Sequence, residues 1–410
     1  MTEFLELITP DEARNLFLER FKPDISFETV DTKNAFGRVA YEEITAPHSL
    51  PDFRRSTVDG YAVRAQDTFG ANPSLPAYLK LAGEILMGQE ADFNIHPGEC
   101  ALIHTGGMLP GGTGAVVMVE DTQSLNEDEV EIYRPAAVGE NIIEIGEDIK
   151  SGEILISKGQ KIREPEIGGL LAFGILKIPV VKKPLVGLLS TGDEIVSPEE
   201  DLNPGQVRDI NSYTLSVMIE NNGGIPSRYG IIPDQIDRFR DKTEQAFFEC
   251  DMLVITAGSS ISARDFTARV IDGLGQPGIL VHGINIRPGK PTILAVCDGK
   301  PVIGLPGNPV SALVIAKLFV LPMLRKMQTT SETGLNPRIQ AELSINIPSR
   351  AGREDWVPVR ILTDDMVIKA EPVFGKSNLI FTLVKSVGLV RIPAESNGIS
   401  AGEVVEVIPI

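Results

Sequence analysis

The sequence predicts a multidomain α/β plus β protein, with a doubly wound parallel α/β domain flanked by β domains. Three observations predict it. The 410-residue chain is too long for one ordinary core. Short β-like runs separated by Gly, Pro and Asn turns fill residues 56–150 and 330–410. Between them strand-like and helix-like segments alternate, the pattern of a parallel sheet covered on both faces.

The elements follow in order. Residues 10–21 predict a helix, with Thr9 as cap, Pro10 in the first turn and Glu12 three residues past the cap. The Pro-rich "PHSLPDFRRS" (47–56) marks a domain boundary. Beyond it "YAVRA", "YLKLAGEIL", "ECALIHTG", "AVVMVEDTQSL" and "EVEIYR" predict strands, and "EPEIGGLLAFGI" (164–175) a short helix. At Lys183 the rhythm changes. "PLVGLLSTGDEI" reads as a buried strand, "NSYTLSVMIENNG" as a helix stopped by glycine and "DQIDRFRDKTEQAFFE" as an amphipathic helix. "DMLVITAGSS" is a strand, "DFTARVIDGLG" a helix, "PTILAVCDG" and "PVIGL" strands, and "NPVSALVIAKLFVLPML" a helix. In the last, Asn308 is placed to cap and Pro309 to occupy the first turn.

Composition narrows the function. A net charge of −18 argues against nucleic acid or an anionic membrane as partner. No run approaches the roughly 18 apolar residues of a membrane span. The N-terminal stretch is acidic and amphipathic, unlike a signal peptide. Three scattered cysteines and four histidines fit neither a disulfide framework nor a metal cluster, so a cytoplasmic setting is expected.

Ligands of open α/β sheets gather at the carboxyl ends of the strands. Three such ends carry chemistry: "STGDEI" with Ser190, Gly192, Asp193 and Glu194, "TAGSSISARDF" with Gly258 and Asp265, and "PGNPVSA" with Pro306, Asn308 and Pro309. Backbone N–H groups there suit a phosphate, and carboxylates suit Mg²⁺. A plain helix cap explains Asp234 and Asp265 equally well. No Walker A, dinucleotide or catalytic-triad pattern is present.

Eight motifs occur in order: "STVDGYAVR", "TGGMLPGGTGAVVMVED", "GEDIKSG", "STGDEIV", "VRDINSYTL", "ITAGSSISARDFT", "INIRPGKPT" and "GLPGNPVSA". Together they make the chain resemble the MoeA-type molybdopterin molybdenumtransferases, relatives of the E domain of gephyrin. The resemblance implies an elongated four-domain chain. Its parts would be an elongated linker domain (1–46 and 149–180), an inserted β domain (47–148), an α/β molybdopterin-binding domain (181–328) and a C-terminal β barrel (329–410). It implies insertion of molybdate into adenylylated molybdopterin with release of AMP, dependent on Mg²⁺. It also implies a homodimer with the site between the α/β domain of one subunit and the β domain of the other, and contacts with other cofactor-biosynthesis proteins. By the same resemblance Asp59, Glu194, Asp234 and Asp265 are catalytic, the last three as Mg²⁺ ligands. Thr105, Asp148, Ser190, Gly192, Gly258, Pro306, Asn308 and Pro309 would bind substrate. Arg287, Lys290, Arg353 and Ser377 would receive the molybdate dianion.

Several positions depart from the family pattern. Side chains stand at Ser259 and Ala263, where relatives usually carry glycine. Gly283 and Arg287 stand where two lysines are usual, and Pro358 replaces an arginine, with Arg360 two residues on. Arg54 and Arg55 replace an acidic residue or Asn. All surround the implied anion site. They leave a second reading open: a diverged molybdopterin-binding or scaffolding paralogue with weak or no metal insertion, or one that takes tungstate.

Overall fold

A computed structural model describes residues 7–257, 261–329, 338–364 and 367–410, and for 261–265 and 364 the backbone alone. The chain divides into two compact units. One comprises Met1–Glu42, Lys158–Glu164 and Lys177–Ile410, the other Glu43–Ser157 and Pro165–Leu176.

The first unit opens with helix α1 (Pro10–Arg20), which starts as its sequence predicts: Thr9 and Glu12 form a reciprocal capping box and Pro10 fills the first turn. In the second unit a six-stranded sheet runs in the order Ala115–Met118, Gly60–Val63, Glu99–Ile103, Ala77–Ile85, Glu129–Ile132, Thr122–Ser124. Its apolar alternation buries Tyr61, Val63, Cys100, Val117 and Val130 on one face, and Ala62, Ala101, Ile103 and Val116 on the other. Helix α2 (Glu164–Ala172) belongs to the same unit from Pro165 onward.

The α/β sheet of the first unit has the order Ile225–Ile232, Leu185–Thr191, Met252–Ala257, Lys300–Pro306, Ile293–Cys297, Pro277–His282. The first four strands are mutually parallel, and the last two continue the sheet antiparallel. Helices α3 (Asn211–Asn221), α4 (Ile236–Glu249), α5 (Ile261–Asp272) and α6 (Pro309–Ile315) cover its two faces. Strand alternation divides the core. Val186, Leu188, Val254 and Ile303 pack with α3 and α6, whereas Leu189, Leu253, Ile255 and Val302 pack with α4 and α5.

Two expectations change here. The long helix predicted over 308–324 is three pieces: α6, a π-helical turn over Ala316–Val320 and α7 (Leu321–Met327). Pro322 has no N–H and crowds the preceding turn, which the wider π turn absorbs. The strands Ile225–Ile232 and Pro277–His282 had no clear sequence signal, because Pro226, Gly230, Pro277 and Gly278 interrupt their alternation.

In the C-terminal region five strands close a barrel: Glu354–Asp364, Val367–Pro372, Ile339–Leu343, Val404–Pro409 and Gly388–Ile392, the last pairing back to the first. Closure removes the free edges that such short strands would otherwise expose. The two-residue strand Ile286–Arg287 adds to the barrel, running parallel to Glu354–Asp355.

Candidate functional site

In the second unit Asp59 and Thr105 meet because their strands pair, with Gly60 opposite Ile103. Asp59 precedes the strand Gly60–Val63, and Thr105 follows the strand Glu99–Ile103. Gly60 is required there: a Cβ would lie 1.9 Å from the Val117 carbonyl oxygen. The Thr105 N–H donates to Asp59 Oδ1 at 2.9 Å. His104, which the motif reading passed over, lies with Nδ1 3.8 Å from the same oxygen, and its Nε2 is 2.8 Å from Glu84 Oε1. Asp148 is exposed on a separate turn, its N–H donating to the Leu50 carbonyl.

In the first unit the carboxyl ends of two neighbouring strands, Leu185–Thr191 and Ile225–Ile232, bring acids together. The Thr191 hydroxyl donates to Asp234 Oδ1 at 2.8 Å, and the Asp234 N–H to Asp193 Oδ1 at 3.0 Å. Glu194 is exposed on the same turn. Gly192, at φ +148°, is the pivot: a Cβ there would sit 2.8 Å from Glu194 Oε2. Asp234 lies two residues before α4, whose N-cap is Gln235, so the cap explanation for Asp234 fails. It fails also for Asp265, the fifth residue of α5. The side chain of Asp265, and Gly258 entirely, lie outside the described residues.

Ser190 is buried under this turn. Its hydroxyl donates to Asp209 Oδ2 at 2.9 Å and receives the Thr256 hydroxyl at 3.2 Å. Asp209 also takes the Ser212 hydroxyl at 2.6 Å and the Ser212 N–H at 3.2 Å. The sequence reading quoted Asp209 without assigning it. Its position three residues before Ser212, just ahead of α3, was the available signal.

The Pro-Gly-Asn-Pro loop is held by side chains, and Pro306 is buried at the end of its strand. Asn211 Nδ2 donates to the Gly307 carbonyl at 2.8 Å. Asn308 occupies the N-cap position but does not cap; its amide donates to Ser377 Oγ at 3.1 Å. The Ser377 carbonyl in turn receives the Val310 N–H at 3.0 Å. Pro309 has no N–H, so this helix start keeps fewer free donors for an anion than the sequence promised.

Two of the cationic candidates, Arg353 and Arg287, converge on one residue, Asp355. Arg353 binds the Asp355 carboxylate in bidentate fashion, at 2.8 Å through Nε and 3.3 Å through Nη2. Arg287 Nη1 stands 3.7 Å from Asp355 Oδ2. Lys290 is exposed in the turn beyond Arg287. Arg360 is committed to Glu371 opposite it on the neighbouring strand, so it does not replace the missing lysine. Gly283 is buried at φ +100°, a conformation that disfavours a lysine there.

Among the described residues no group of three His, Cys, Asp or Glu side chains converges on a metal position. A cavity of about 1410 Å³ in the first unit is lined by α1, α3, the π turn and the barrel, and by none of the predicted site residues.

Three family models match the chain in sequence. They describe a MoeA N-terminal region (domain I and II) over residues 8–174, a probable molybdopterin binding domain over 187–326 and a MoeA C-terminal region (domain IV) over 340–410. A putative molybdopterin biosynthesis protein of Methanocaldococcus jannaschii is 36% identical over 387 residues, covering 92% of this chain and 91% of its own. A molybdopterin molybdenumtransferase of Haemophilus influenzae is 32% identical over 409 residues, covering 98% of each. A crystal structure of a molybdopterin biosynthesis MoeA protein from Pyrococcus horikoshii superposes with TM-score 0.84 at 38% identity, covering 98% of this chain and 99% of that one. The shared architecture is four domains, α/β plus β, with the closed five-stranded barrel at the C-terminal end.

Proposed function

The chain belongs to the MoeA family, and from that premise we propose that it is a molybdopterin molybdenumtransferase that inserts molybdate into adenylylated molybdopterin and releases AMP. The observation that carries the reading is the grouping of Ser190, Gly192, Glu194 and Asp234 at the carboxyl end of the α/β sheet. That grouping lies within the segment matched by the probable molybdopterin binding domain.

Breaking a phosphoanhydride is chiefly a matter of position and charge. In this reading Asp59, Glu194, Asp234 and Asp265 are the catalytic carboxylates. Thr105, Asp148, Gly192, Gly258, Pro306, Asn308 and Pro309 contact the substrate, and the buried Ser190, expected from the sequence to bind it, instead supports the turn from beneath. Arg287, Lys290, Arg353 and Ser377 receive molybdate. The acids on the 191–194 and 232–234 turns fit Mg²⁺ in kind. They are hard oxygen donors on exposed loops, and each carboxylate keeps an oxygen beyond the one in its hydrogen bond. Glu194, Asp234 and Asp265 would hold the ion, with waters completing its shell. When bound, it would offset the negative charge of the pyrophosphate. A cytoplasmic homodimer meeting other cofactor-biosynthesis proteins completes the proposal.

The test is incubation with adenylylated molybdopterin, Mg²⁺ and molybdate. AMP should form with all three and fall away when Mg²⁺ is chelated. No AMP above a protein-free control would overturn the proposal.

A further inference from the structure

We propose that Asp355 is the positioning residue of an oxyanion receptor, gathering Arg287 and Arg353 into one paired-guanidinium site. The inference rests on the proposed function for the identity of the anion, a tetrahedral dianion such as molybdate.

Asp355 is only 3% exposed, and a buried carboxylate persists when cations and hydrogen bonds satisfy it. Both of its oxygens are used. Oδ1 receives Arg353 Nε at 2.8 Å. Oδ2 faces Arg353 Nη2 at 3.3 Å and Arg287 Nη1 at 3.7 Å. The backbone enforces the arrangement. The short strand Ile286–Arg287 lies parallel to the barrel strand with Arg287 opposite Asp355, and Arg353 stands two residues before Asp355. Two arginines from distant parts of the chain are thus held on one carboxylate.

What remains points to an anion. Two guanidinium charges against one carboxylate leave a local positive balance in a chain of net charge −18. A guanidinium has five N–H donors, and Asp355 uses only one edge of Arg353. The Arg287 side chain is 64% exposed, so its donors stay accessible. Two planar forks, that of Arg353 fixed by its bidentate bond to Asp355, match a tetrahedral oxyanion better than a mobile ammonium would. The neighbouring Glu354 gives the contrast. Also buried, it receives Trp356 Nε1 at 2.6 Å and Arg391 Nε at 2.7 Å, and Arg391 continues to Asp11 on α1 at 3.1 Å. Glu354 thus ties α1 to the barrel, while Asp355 serves arginines that lead outward.

The sign of one substitution tests this. Removing a negative charge beside an anion site should tighten binding if Asp355 merely repels or competes with the anion. If Asp355 positions the arginines, Asp355→Asn should weaken it. Titration of the whole chain with molybdate alone, by calorimetry, should show binding to the unmodified protein and about a ten-fold or larger loss in Asp355→Asn. In the AMP assay the same variant should raise KM for molybdate with little change in kcat. Unchanged or tighter molybdate binding by Asp355→Asn overturns the inference, as does absence of binding by the unmodified chain. Should Asp355→Asn fail to fold, Arg353→Lys, which keeps the charge but loses the fork, should show a similar loss, and undiminished affinity there overturns it. AMP release by the unmodified chain is scored separately. Loss of binding in Asp355→Asn without any AMP release sinks the proposed reaction and leaves the receptor standing.

Discussion

Asp234 accepts the Thr191 hydroxyl through one oxygen, and asparagine at that position keeps an acceptor while losing the charge. Asp234→Asn should therefore shift the melting temperature little, as exposed substitutions do. It should lower AMP release by about a hundred-fold or more if the carboxylate stabilises charge in the reaction. A thermal melt and an AMP assay on the same preparation separate the two effects, and full activity would leave Asp234 a loop-closing acceptor. A second expectation concerns the thiols. Cys100, Cys250 and Cys297 are all buried, and burial pushes Cys100 up to about 12 and Cys297 up to about 11. A thiol raised in the folded state adds stability that is whole below its ordinary value of 9.0 and is lost as pH climbs towards the folded values. The native chain should resist alkylation at pH 8 and label three thiols once unfolded in urea. Rapid labelling of the native chain would contradict the burial. The residue types of the site were legible because turn chemistry at strand ends is local. Asp355 was not, nor was the bond between Asp209 and Ser190, since those partners are chosen by topology: nothing in "GREDW" says that Arg287 will lie beside Asp355.

At the scale of elements, α1 shows local code at its clearest, because every part of its capping box lies within four residues. Thr9→Ala should cost about 1 kcal/mol of stability. The Thr9 backbone and side-chain hydrogen bonds hold the Glu12 carboxyl below its ordinary value of 4.5. A carboxyl depressed in the folded state contributes stability above its ordinary value and loses it as pH falls through the lowered one. The difference between Thr9→Ala and the unmodified chain should accordingly shrink from pH 7 to pH 3 in urea unfolding. A constant difference would assign the cap to the Thr9 hydroxyl alone. Other elements were legible where period and propensity agreed, as in the strand Leu185–Thr191 and the amphipathic α4. Pattern failed where backbone geometry decided. The π turn exists because Pro322 sits inside a run that otherwise spells helix. The antiparallel strands Ile293–Cys297 and Pro277–His282 follow from a turn at Asp298–Gly299 and a pairing that periodicity does not encode.

Across the whole molecule, the changes of rhythm at 47–56 and at Lys183 are readable from the chain alone, because switching between a period of two and one of 3.6 needs no tertiary information. Assembly carries no such signature, and in the proposed homodimer it would decide how the candidate residues meet. Asp59 and Thr105 belong to one compact unit, and Glu194 and Asp234 to the other. In the proposed homodimer each site draws its two sets from different copies. Mixing an Asp59→Asn chain with an Asp234→Asn chain then yields hybrid dimers in which one site carries both defects and the other neither. If subunits exchange at random, half the dimers are hybrids and one of the two sites in each is whole. Activity should recover to about a quarter of the unmodified level, from two proteins inactive alone. Sites built within single chains give a different result, since every site in a hybrid would then keep one defect and mixing would restore nothing. Sedimentation of the mixture shows whether dimers form. Recovery measured against the two separate variants decides between the arrangements, because it depends only on which copy supplies each carboxylate.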